Sequence, residues 1–481
     1  MPIEKIKSDR LKKLANIKAA KINPYPPKTG PRRLIADILE DFDVLEREKK
    51  EVILAGRLRS QRAHGGSTFA NLEDSSGQIQ IYFKKDEIGE QDYNIFVDNL
   101  DVGDFISAEG EVFRTHKGER TLLVKKYKIL VKSLNQLPEK WHGLKDVEER
   151  FRKRYLDLLM NKDVKARFQM RSRIIKELRV FLEAEGFLEV ETPILQPLPG
   201  GALAKPFRTH LNTLNMDLYL RIAPELYLKR LLVGGFEKVY EIGRCFRNEG
   251  MDRSHNPDFT MLEFYWAYVD YQDLMELTEK MFGLLVPELE IEFQGDKINF
   301  TSPFKRISIR ELILQNYKID IEKASRQDLE KTLVEAGEKP EKDVPDCKLI
   351  DEIFKTIRPK IIQPTFVTNH PIGMSPLAKA AEENPKEAAR FQLIAGGLEL
   401  VNAYTELNDP KEQAQRMKEQ EKGRPTGEVQ RYDEDFIEAL EYGMPPAGGL
   451  GLGVDRLVQL LTNAANIREV ILFPTMKEKE Q

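Results

Sequence analysis

Two runs of β-type residues that lie close together in the chain place the strongest constraint on its fold. They are KVYEIGRCFRNE (residues 238–249) and FTMLEFYWA (residues 259–267), and the turn-forming segment GMDRSHNPD connects them. Two such runs joined by a turn predict an antiparallel hairpin. Because side chains alternate along a strand, one face of this hairpin is expected to pack into a core. On the second strand that face carries Thr260, Leu262, Phe264 and Trp266.

The opposite face of the hairpin carries groups suited to chemistry. Alternation places there Arg247, Glu249, Phe259, Glu263 and Tyr265. An arginine on a rigid strand matches a phosphate group with two hydrogen bonds, and a phenylalanine ring stacks on a purine. Glutamates beside them can hold a metal ion, an amine or the exocyclic amino group of adenine. A surface hairpin with Arg–Glu ion pairs explains the same pattern. A functional site is favoured over it only if the same residue types recur elsewhere in the chain.

Such a recurrence is LELVNAYTELND (residues 398–409), a further β-type run with two carboxylates. Alternation puts Asn402, Tyr404 and Glu406 on one face. Glu399 is expected on the other face unless a β-bulge intervenes.

The segment GGLGLGVDRLVQLLTN places glycines directly before a predicted helix, with Arg456 in its first turn. A glycine-rich turn lets the backbone approach a nucleotide, and the arginine adds a charge. The spacing of Gly449, Gly451 and Gly453 is a weak dinucleotide fingerprint, because no βαβ unit accompanies it.

The chain of 481 residues is long enough for two or three domains. Residues 1–50 form a basic helix and a Pro-rich strap, and residues 51–137 contain β-type runs typical of a barrel of about five strands. Residues 138–163 form a linker. Residues 164–481 mix long helical patterns with strands, with a helical insertion around residues 305–360. These patterns predict an α+β protein.

Composition narrows the class of protein further. The chain has no apolar run long enough to span a membrane and opens on a charged segment unlike a signal peptide, so a cytoplasmic protein is expected. Its two cysteines and six scattered histidines support neither a disulfide framework nor a zinc site. The net charge is −4, yet seven Lys and Arg residues fall within the first 21 positions. This basic arm indicates a polyanionic partner or a solvated helix face.

Several segments together resemble the class II lysyl-tRNA synthetases over nearly the whole chain. They are RYLDLL, VETPIL, PGGALAKPF, YLRIAPELYLKRLLVGGFEKVYEIGRCFRNEG, HNPDFTMLEFY, LEYGMPPAGGLGLGVDR and ILFP. The segment that ends at Pro193, where a strand of β-type residues is expected, resembles motif 1 of the dimer interface. FRNEG with HNPDFTMLE resembles motif 2, and GLGLGVDR resembles motif 3.

The resemblance implies an N-terminal OB-fold barrel that binds the anticodon and a catalytic domain built on an antiparallel sheet flanked by helices. It implies a homodimer that uses ATP, L-lysine and tRNA(Lys), with Mg²⁺ as cofactor. Lysine would react with ATP to give lysyl-adenylate and pyrophosphate, and the lysyl group would then pass to the 3′ end of the tRNA.

The resemblance also implies roles for individual residues. Arg247, Glu249 and Arg456 match catalytic positions, and the ATP positions add His255, Asn256, Phe259 and Glu399. The positions that match the lysine site are Gly201, Glu225, Arg247, Glu263, Tyr265, Asn402, Tyr404 and Glu406. The positions that match anticodon-binding residues are Arg62, Phe69, Gln80 and Glu119.

Two of these assignments have support from the residues themselves. Buried carboxylates such as Glu263 and Glu406 require a cation, which favours a long amine over the carboxylate or amide of the aspartyl and asparaginyl relatives. Phe69 shares its face of the strand with the polar residues Asn71 and Glu73, so it is expected on the outside of the barrel as a stacking platform for a base. Capping of the barrel edge is the alternative for Phe69.

The chain departs from the family pattern at a metal position. A glutamate usually stands seven residues before the equivalent of Glu399, whereas this chain has Gln392. An amide is a weaker ligand for Mg²⁺ than a carboxylate, so a metal site formed by Glu399 and Gln392 is expected to be weak.

The sequence disfavours two alternative functions and leaves a third open. A lysyltransferase that modifies an elongation factor would lack the barrel, and a non-catalytic tRNA-binding regulator would have lost Arg247 or Arg456. Capture of the adenylate by ATP, which gives diadenosine tetraphosphate, is a further activity that the sequence does not test.

Overall fold

The computed structural model describes residues 3–138, 144, 146–202, 204–342, 344–422 and 432–478. The chain divides into two compact units, residues 1–143 and 144–481. Residues 139–143 and 145 of the predicted linker lie outside the described residues, and the remainder from residue 144 belongs to the second unit.

The first unit combines a five-stranded barrel with short helices. Its elements are α1 (Ile3–Ala19), α2 (Ile35–Glu40), α3 (Phe42–Glu48), β1 (Glu51–His64), β2 (Ser67–Glu73), β3 (Gln78–Lys84), α4 (Lys85–Ile88), α5 (Glu90–Asn99), β4 (Phe105–Arg114) and β5 (Arg120–Val131). The strands close in the order β1-β2-β3-β5-β4, with β3 and β5 parallel and the other pairs antiparallel. Regular alternation of buried and outward residues along β2 and β3 produces the barrel core.

The basic helix α1 packs against the barrel. The buried guanidinium of Arg10 donates to the carbonyl oxygens of Val102, Ser133 and Asn135 at 2.9–3.2 Å. Lys13 forms an ion pair with Asp101 at 2.6 Å. These contacts anchor two of the predicted basic residues, while Lys5, Lys7, Lys12, Lys18 and Lys21 are exposed.

The first half of the second unit contains four helices and six strands among the described residues. They are α6 (Val147–Arg152), α7 (Arg154–Met160), α8 (Lys162–Ala184), β6 (Leu188–Glu189), β7 (Leu195–Gln196), β8 (Arg208–Leu211), β9 (Met216–Leu220), α9 (Glu225–Val233), β10 (Lys238–Phe246) and β11 (Asp258–Ala267).

The second half completes the unit with further helices and strands. They are α10 (Tyr271–Leu285), β12 (Glu290–Phe293), β13 (Asp296–Asn299), β14 (Lys305–Ser308), α11 (Ile309–Tyr317), α12 (Arg326–Glu335), α13 (Asp346–Ile357), β15 (Thr365–Thr368), β16 (Arg390–Ala395), β17 (Leu398–Thr405), α14 (Pro410–Lys422), α15 (Glu434–Glu441), β18 (Ala447–Gly453) and α16 (Val454–Leu461).

The second unit is built on an eight-stranded sheet in the order β14-β15-β16-β17-β18-β11-β10-β6. Its five central pairings, from β15 to β10, are antiparallel, as predicted. One face packs under helices: Leu178 of α8, Phe282 of α10 and Leu457 of α16 share one apolar cluster with Leu262 and Phe264. Each fully buried side chain of this kind contributes roughly 1.5–3 kcal/mol. The face that carries Glu263 and Tyr265 points the other way and forms the site.

Three predicted elements differ in extent from the structure. The hairpin ladder ends at the pair Phe246–Asp258 rather than at Glu249, because the backbone NH of Asn248 turns away to the carbonyl of Lys205 at 2.7 Å. The strand expected before Pro193 is only the two-residue β6. The predicted helical insertion begins with β14, which pairs with β15 as the edge strand of the sheet.

Candidate active site and nucleic-acid face

A cavity of about 410 Å³ opens on the uncovered face of the sheet in the second unit. Residues of β11, β16, β17, β18, α9, α13 and α16 line it, together with the segment between β10 and β11, so most of its wall comes from helices and strands. A cavity of this size accommodates a small-molecule ligand. Fourteen of the fifteen residues predicted for ATP, lysine or metal line it, namely Gly201, Glu225, Arg247, Glu249, His255, Asn256, Phe259, Glu263, Tyr265, Gln392, Glu399, Asn402, Tyr404 and Arg456.

Glu406 is the predicted site residue that does not line the cavity. Its carboxylate lies just behind Gly449, where a Cβ atom would come within 2.0 Å of its Oε1. Here it forms an ion pair with Lys229, which the sequence analysis did not include. The expectation that Glu263 and Glu406 together await a ligand cation is therefore wrong for Glu406, because the chain supplies its own.

Lys229 is wholly buried between two carboxylates. Its Nζ atom lies 2.6 Å from Oε1 of Glu225, one turn earlier on α9, and contacts Glu406 on its other side. The hydroxyl of Tyr404 donates to the same Oε1 atom of Glu225 at 2.6 Å. Burial alone would lower the pKa of Lys229, but the charges of Glu225 and Glu406 raise it above its usual value, so Lys229 stays protonated.

Glu263 is the carboxylate left without a cation. It is buried, accepts a hydrogen bond from the hydroxyl of Tyr265 at 3.2 Å, and has no ion-pair partner within 4.0 Å among the described residues. Burial, followed by the nearby charge of Glu225, raises the pKa of Glu263 to about 8. A buried group in this condition is suited to bind a cationic ligand.

The glycine run is a strand rather than the predicted turn. Residues Ala447–Gly453 form β18 in the centre of the sheet, between β11 and β17. A Cβ atom at Gly449 would lie 2.5 Å from the ring of Tyr265, and one at Gly451 would lie 3.0 Å from Met261. The glycines therefore make room for side chains of the cavity, which is a different reason for their presence than the approach of a nucleotide to a turn.

Arginines line the other end of the cavity. The guanidinium of Arg247 lies 5.0 Å from the centre of the Phe259 ring, and its buried Nε atom has no hydrogen-bond partner in the part of the chain that the structure describes. Arg456, from the first turn of α16, donates to the carbonyl of Glu399 at 3.1 Å and lies 3.0 Å from Nε2 of His255. Burial lowers the pKa of Arg456 below its usual value. Guanidinium groups gathered in a cavity suit an anionic ligand.

An ion pair and hydrogen bonds hold the predicted polar side chains around these arginines. His255 pairs with Asp252 at 2.8 Å, and Asn256 donates to the carbonyl of Asp258 at 2.7 Å. Glu249 accepts from the backbone NH of Lys205 at 3.3 Å. Gly201 has a φ of +85°, and a Cβ there would lie 2.9 Å from Cβ of Glu225, so glycine is required by both conformation and space.

A β-bulge turns Glu399 into the cavity. Gln392 lies opposite Asn402 and Leu393 opposite Val401, but Ile394 lies opposite Glu399, which leaves Leu400 as the extra residue. The bulge reverses the alternation, so Glu399 joins Asn402 and Tyr404 on the cavity side. The sequence placed Glu399 on the opposite face unless a β-bulge intervened, and that bulge is present.

Gln392 and Glu399 present oxygen atoms that suit a magnesium ion. The Oε1 atom of Gln392 is buried and has no hydrogen-bond partner among the residues described, and the Glu399 carboxylate accepts from Arg358 at 3.2 Å. Within the described ranges, no group of three or more His, Cys, Asp or Glu side chains is arranged to hold a metal. Proteins usually bind Mg²⁺ through few side chains together with substrate phosphates, and these two side-chain oxygens match that pattern.

Sequence reasoning missed Lys229, Arg358 and Arg390 as parts of this site. Lys229 lies four residues after Glu225 in a helix, a spacing that does predict contact. Arg390 donates to Oδ1 of Asn402 at 2.8 Å and so leaves the Nδ2 atom of Asn402 to act as a donor. Arg358 and Arg390 come from segments without a local pattern, and only the fold brings them to the cavity.

The outer face of the barrel in the first unit places the four predicted anticodon residues on neighbouring strands or beside them. Arg62 lies opposite Phe69, and Gln80 lies opposite Thr121, whose hydroxyl donates to it at 2.8 Å. Glu119 immediately precedes β5 and is exposed. Phe69 stacks on Tyr82 with ring centres 4.4 Å apart, an aromatic partner that the sequence analysis did not single out.

No helix among the described residues has the length and apolarity required to cross a bilayer.

Comparison with known proteins gives matches to both units. The family described as tRNA synthetases class II (D, K and N) matches residues 146–477, and the family described as OB-fold nucleic acid binding domain matches residues 52–130. The chain is 50% identical to the lysine–tRNA ligase of Pelotomaculum thermopropionicum, over 98% of this chain and 94% of the relative. It is 48% identical to the lysine–tRNA ligase of Moorella thermoacetica, over 98% of each chain.

Proposed function

This chain belongs to the class II tRNA synthetases of the aspartate, lysine and asparagine group, and we propose that it is a lysine–tRNA ligase whose cavity binds ATP and L-lysine side by side. It activates lysine with ATP to lysyl-adenylate and pyrophosphate and transfers the lysyl group to the 3′ end of tRNA(Lys). The OB-fold barrel binds the anticodon, in line with its family.

The observation that carries the choice of lysine is the buried carboxylate of Glu263. Glu225 and Glu406 already share the ammonium of Lys229, whereas the one side-chain hydrogen bond to Glu263 from the described residues comes from the hydroxyl of Tyr265. One lysine is thus shared by two of three glutamates, and the ionised form of Glu263 has no counter-ion among the described residues. A substrate with a carboxylate or amide side chain would leave Glu263 without a counter-ion, while an amine supplies one.

We assign the other end of the cavity to ATP. Phe259 stacks on the adenine, Arg247 binds the α-phosphate and the lysine carboxylate, and Arg456 binds the γ-phosphate. His255, Asn256 and Glu249 complete the nucleotide site, and Gly201 with Glu225 holds the α-amino group of lysine. Asn402 and Tyr404 line the lysine site between the two ends.

The first step needs no general base. A carboxylate oxygen of lysine attacks the α-phosphorus, the bond to the bridging oxygen breaks, and pyrophosphate leaves. The residues contribute by placing the two reactants together and by neutralising charge, with Arg247 between both. In the second step the terminal hydroxyl of the tRNA attacks the lysyl carbonyl carbon, and AMP leaves.

We assign magnesium binding to Glu399 and Gln392, together with ATP phosphates. A bound Mg²⁺ ion would neutralise phosphate charge and orient the pyrophosphate leaving group. With an amide in place of a second carboxylate, this site depends mainly on Glu399.

We also propose that the active species is a homodimer in the cytoplasm. Leu188 in the segment that resembles motif 1, and Ile194 and Leu195 directly after that segment, each have 45–49% of their surface accessible. Neighbouring exposed apolar residues of this kind favour a protein interface. Sedimentation of the full chain at about twice the monomer mass of 55.5 kDa is the expected result.

The decisive experiment is amino-acid-dependent exchange of pyrophosphate into ATP, with each of the twenty amino acids, Mg²⁺ and no tRNA. Exchange with lysine alone is expected. Exchange with aspartate or asparagine would show that the acidic end of the cavity has been misassigned, and absence of exchange with all twenty would contradict the adenylation step. Lysylation of tRNA then tests the second step separately.

A further inference from the structure

Arg358 is a cavity residue to which the proposed mechanism gives no part. It directly follows α13 and begins a short 3₁₀ helix, Arg358–Lys360. Its guanidinium lies on the cavity wall and pairs with Oε2 of Glu399 at 3.2 Å, with about a quarter of each side chain exposed. An ion pair this exposed contributes little stability, so its place in the cavity calls for another explanation.

The position of Arg358 is held by the backbone. The turn between β16 and β17 donates twice to the segment that follows Arg358, from Gly396 to Ile362 at 2.8 Å and from Gly397 to Ile361 at 2.9 Å. A Cβ atom at Gly397, where φ is +73°, would lie 3.0 Å from the carbonyl oxygen of Pro359. The close packing of these two chain segments keeps Arg358 beside Glu399.

Glu399 contacts both Arg358 and Arg456, the residue assigned to the γ-phosphate. Arg358 contacts its carboxylate, and Arg456 donates to its backbone carbonyl. Burial lowers the pKa of Arg456, the charge of Glu399 opposes that shift, and the charges of Arg358 and Arg247 add to it, so both of these guanidinium groups repel that of Arg456. Like charges held together in this way are stabilised by an anion with several negative groups, such as a polyphosphate.

The neutral Gln392 strengthens this argument. It lies on the strand next to Glu399 and adds no negative charge to the wall that Arg358 shares. A carboxylate at residue 392 would balance part of the arginine charge and bind a metal more firmly. With an amide there, a protein cation has to supply positive charge that a tightly held metal would otherwise provide.

We propose that Arg358 is a further ligand of the ATP polyphosphate, which leaves the Glu399 carboxylate and pairs with the β- or γ-phosphate when the nucleotide binds. This inference rests on the proposed assignment of ATP to the arginine end of the cavity. The exchange of partners frees Glu399 for the metal at the same time as it neutralises phosphate charge. The planar guanidinium suits this task because it forms two parallel hydrogen bonds to phosphate oxygens.

The test is the dissociation constant of ATP and of AMP, measured by calorimetry on the full chain without lysine or tRNA, in EDTA and in Mg²⁺. Arg358→Gln removes the charge, Arg358→Lys retains it, and Lys360→Gln is the matched control from the same 3₁₀ helix, exposed and away from the cavity. Arg358→Gln is expected to weaken ATP binding about tenfold or more and AMP binding less than twofold, because AMP lacks the β- and γ-phosphates. Arg358→Lys should recover part of the loss, and Lys360→Gln should bind both nucleotides as the unaltered chain does.

The double variant Arg358→Gln/Glu399→Gln in EDTA distinguishes two explanations. Either Arg358 contacts the phosphates of ATP directly, or it affects ATP binding only because it neutralises the charge of Glu399. If Arg358 contacts phosphate, the double variant binds ATP as weakly as Arg358→Gln. Recovery of ATP affinity in the double variant would overturn the proposal, as would unchanged ATP affinity in Arg358→Gln or an equal loss of ATP and AMP. Because these measurements need no amino acid, they stand even if exchange shows a substrate other than lysine.

Discussion

The ammonium group of Lys229 lies 2.6 Å from the carboxylate of Glu225, one helical turn earlier on α9. The same ammonium pairs with Glu406 from the end of β17, and the Lys229 side chain is wholly buried. A resident lysine that does not itself line the cavity therefore neutralises carboxylates at its acidic end. It determines which carboxylates are already paired and which one, Glu263, remains for a ligand.

Replacement of this internal cation should destabilise the fold. Lys229→Met leaves Glu225 and Glu406 buried without a counter-ion, and we expect the free energy of unfolding to fall by roughly 3–5 kcal/mol. Urea unfolding at pH 7 measures it. Lys355→Met is the matched control, because Lys355 pairs with Asp351 at the same spacing on α13 but is 52% exposed. That change should cost less than about 1 kcal/mol, and a similar cost for both variants would contradict the argument.

Glu263 is expected to discriminate between the two substrates. Glu263→Gln keeps the size of the side chain but removes the charge that pairs with the lysine side chain. We expect kcat/KM for lysine in pyrophosphate exchange to fall by about 30-fold or more, which corresponds to at least ~2 kcal/mol. The dissociation constant of ATP should change less than about twofold, because Glu263 lies at the other end of the cavity. Equal loss of lysine and ATP binding would argue against a role as a lysine ligand.

The raised pKa of Glu263 predicts a pH dependence of lysine binding. The pKa is about 8 because burial and the charge of Glu225 disfavour the carboxylate, whereas only the carboxylate form pairs with an ammonium group. Lysine affinity should therefore rise as the pH increases from 6 to 8, with release of a proton on binding below pH 8. Calorimetry in buffers of different ionisation enthalpy measures this proton. Glu263→Gln is the control and should abolish the release.

The same shift acts on stability with the opposite sign. Between the unfolded value near 4.5 and the folded value of about 8, the folded chain binds more protons at Glu263 than the unfolded chain does. The contribution of Glu263 to stability is therefore fully present below about pH 4.5 and is lost as the pH rises through 8.

Phe69 should affect transfer to tRNA without affecting activation. Its ring stacks on Tyr82 on the outer face of the barrel, and loss of a base-stacking ring costs about 1–3 kcal/mol. Phe69→Ala should raise KM for tRNA(Lys) in lysylation by about 5-fold to 150-fold, while lysine-dependent exchange without tRNA stays unchanged. Phe69→Trp, which retains a stacking surface, should stay near the unaltered chain. Loss of exchange in Phe69→Ala would indicate a general defect instead.

Gln392→Glu should strengthen magnesium binding. The Oε1 atom of Gln392 is buried without a hydrogen-bond partner from the described ranges, and a carboxylate there would give the metal a second charged ligand. We expect half-maximal exchange at a lower Mg²⁺ concentration than in the unaltered chain. The new carboxylate should also lower the melting temperature in EDTA, and Mg²⁺ should restore it. An unchanged Mg²⁺ requirement with no Mg²⁺-dependent change in melting temperature would contradict the assignment of Gln392 to the metal site.

Local patterns were sufficient for much of the fold and for most of the cavity. Alternation along FTMLEFYWA separated the core residues Leu262 and Phe264 from Glu263 and Tyr265, and the structure has the same division. The predicted barrel, the antiparallel sheet and the outward position of Phe69 are likewise present. The period of a strand depends only on backbone geometry, so the sequence determines which side chains share a face once the strand itself is recognised.

Pairing between distant segments was decided by the tertiary structure. GGLGLG resembles a turn when it is considered alone, but it forms a central strand because β11 and β17 supply hydrogen bonds on both sides and Tyr265 and Glu406 need the space. Lys229 contacts Glu406, and Arg358 contacts Glu399, because the fold brings β17 close to α9 and to the segment that follows α13. The sequence by itself determined which residue types could bind ATP and lysine, whereas the fold decided which charges were already paired, because counter-ions in a buried site are set by distance in space.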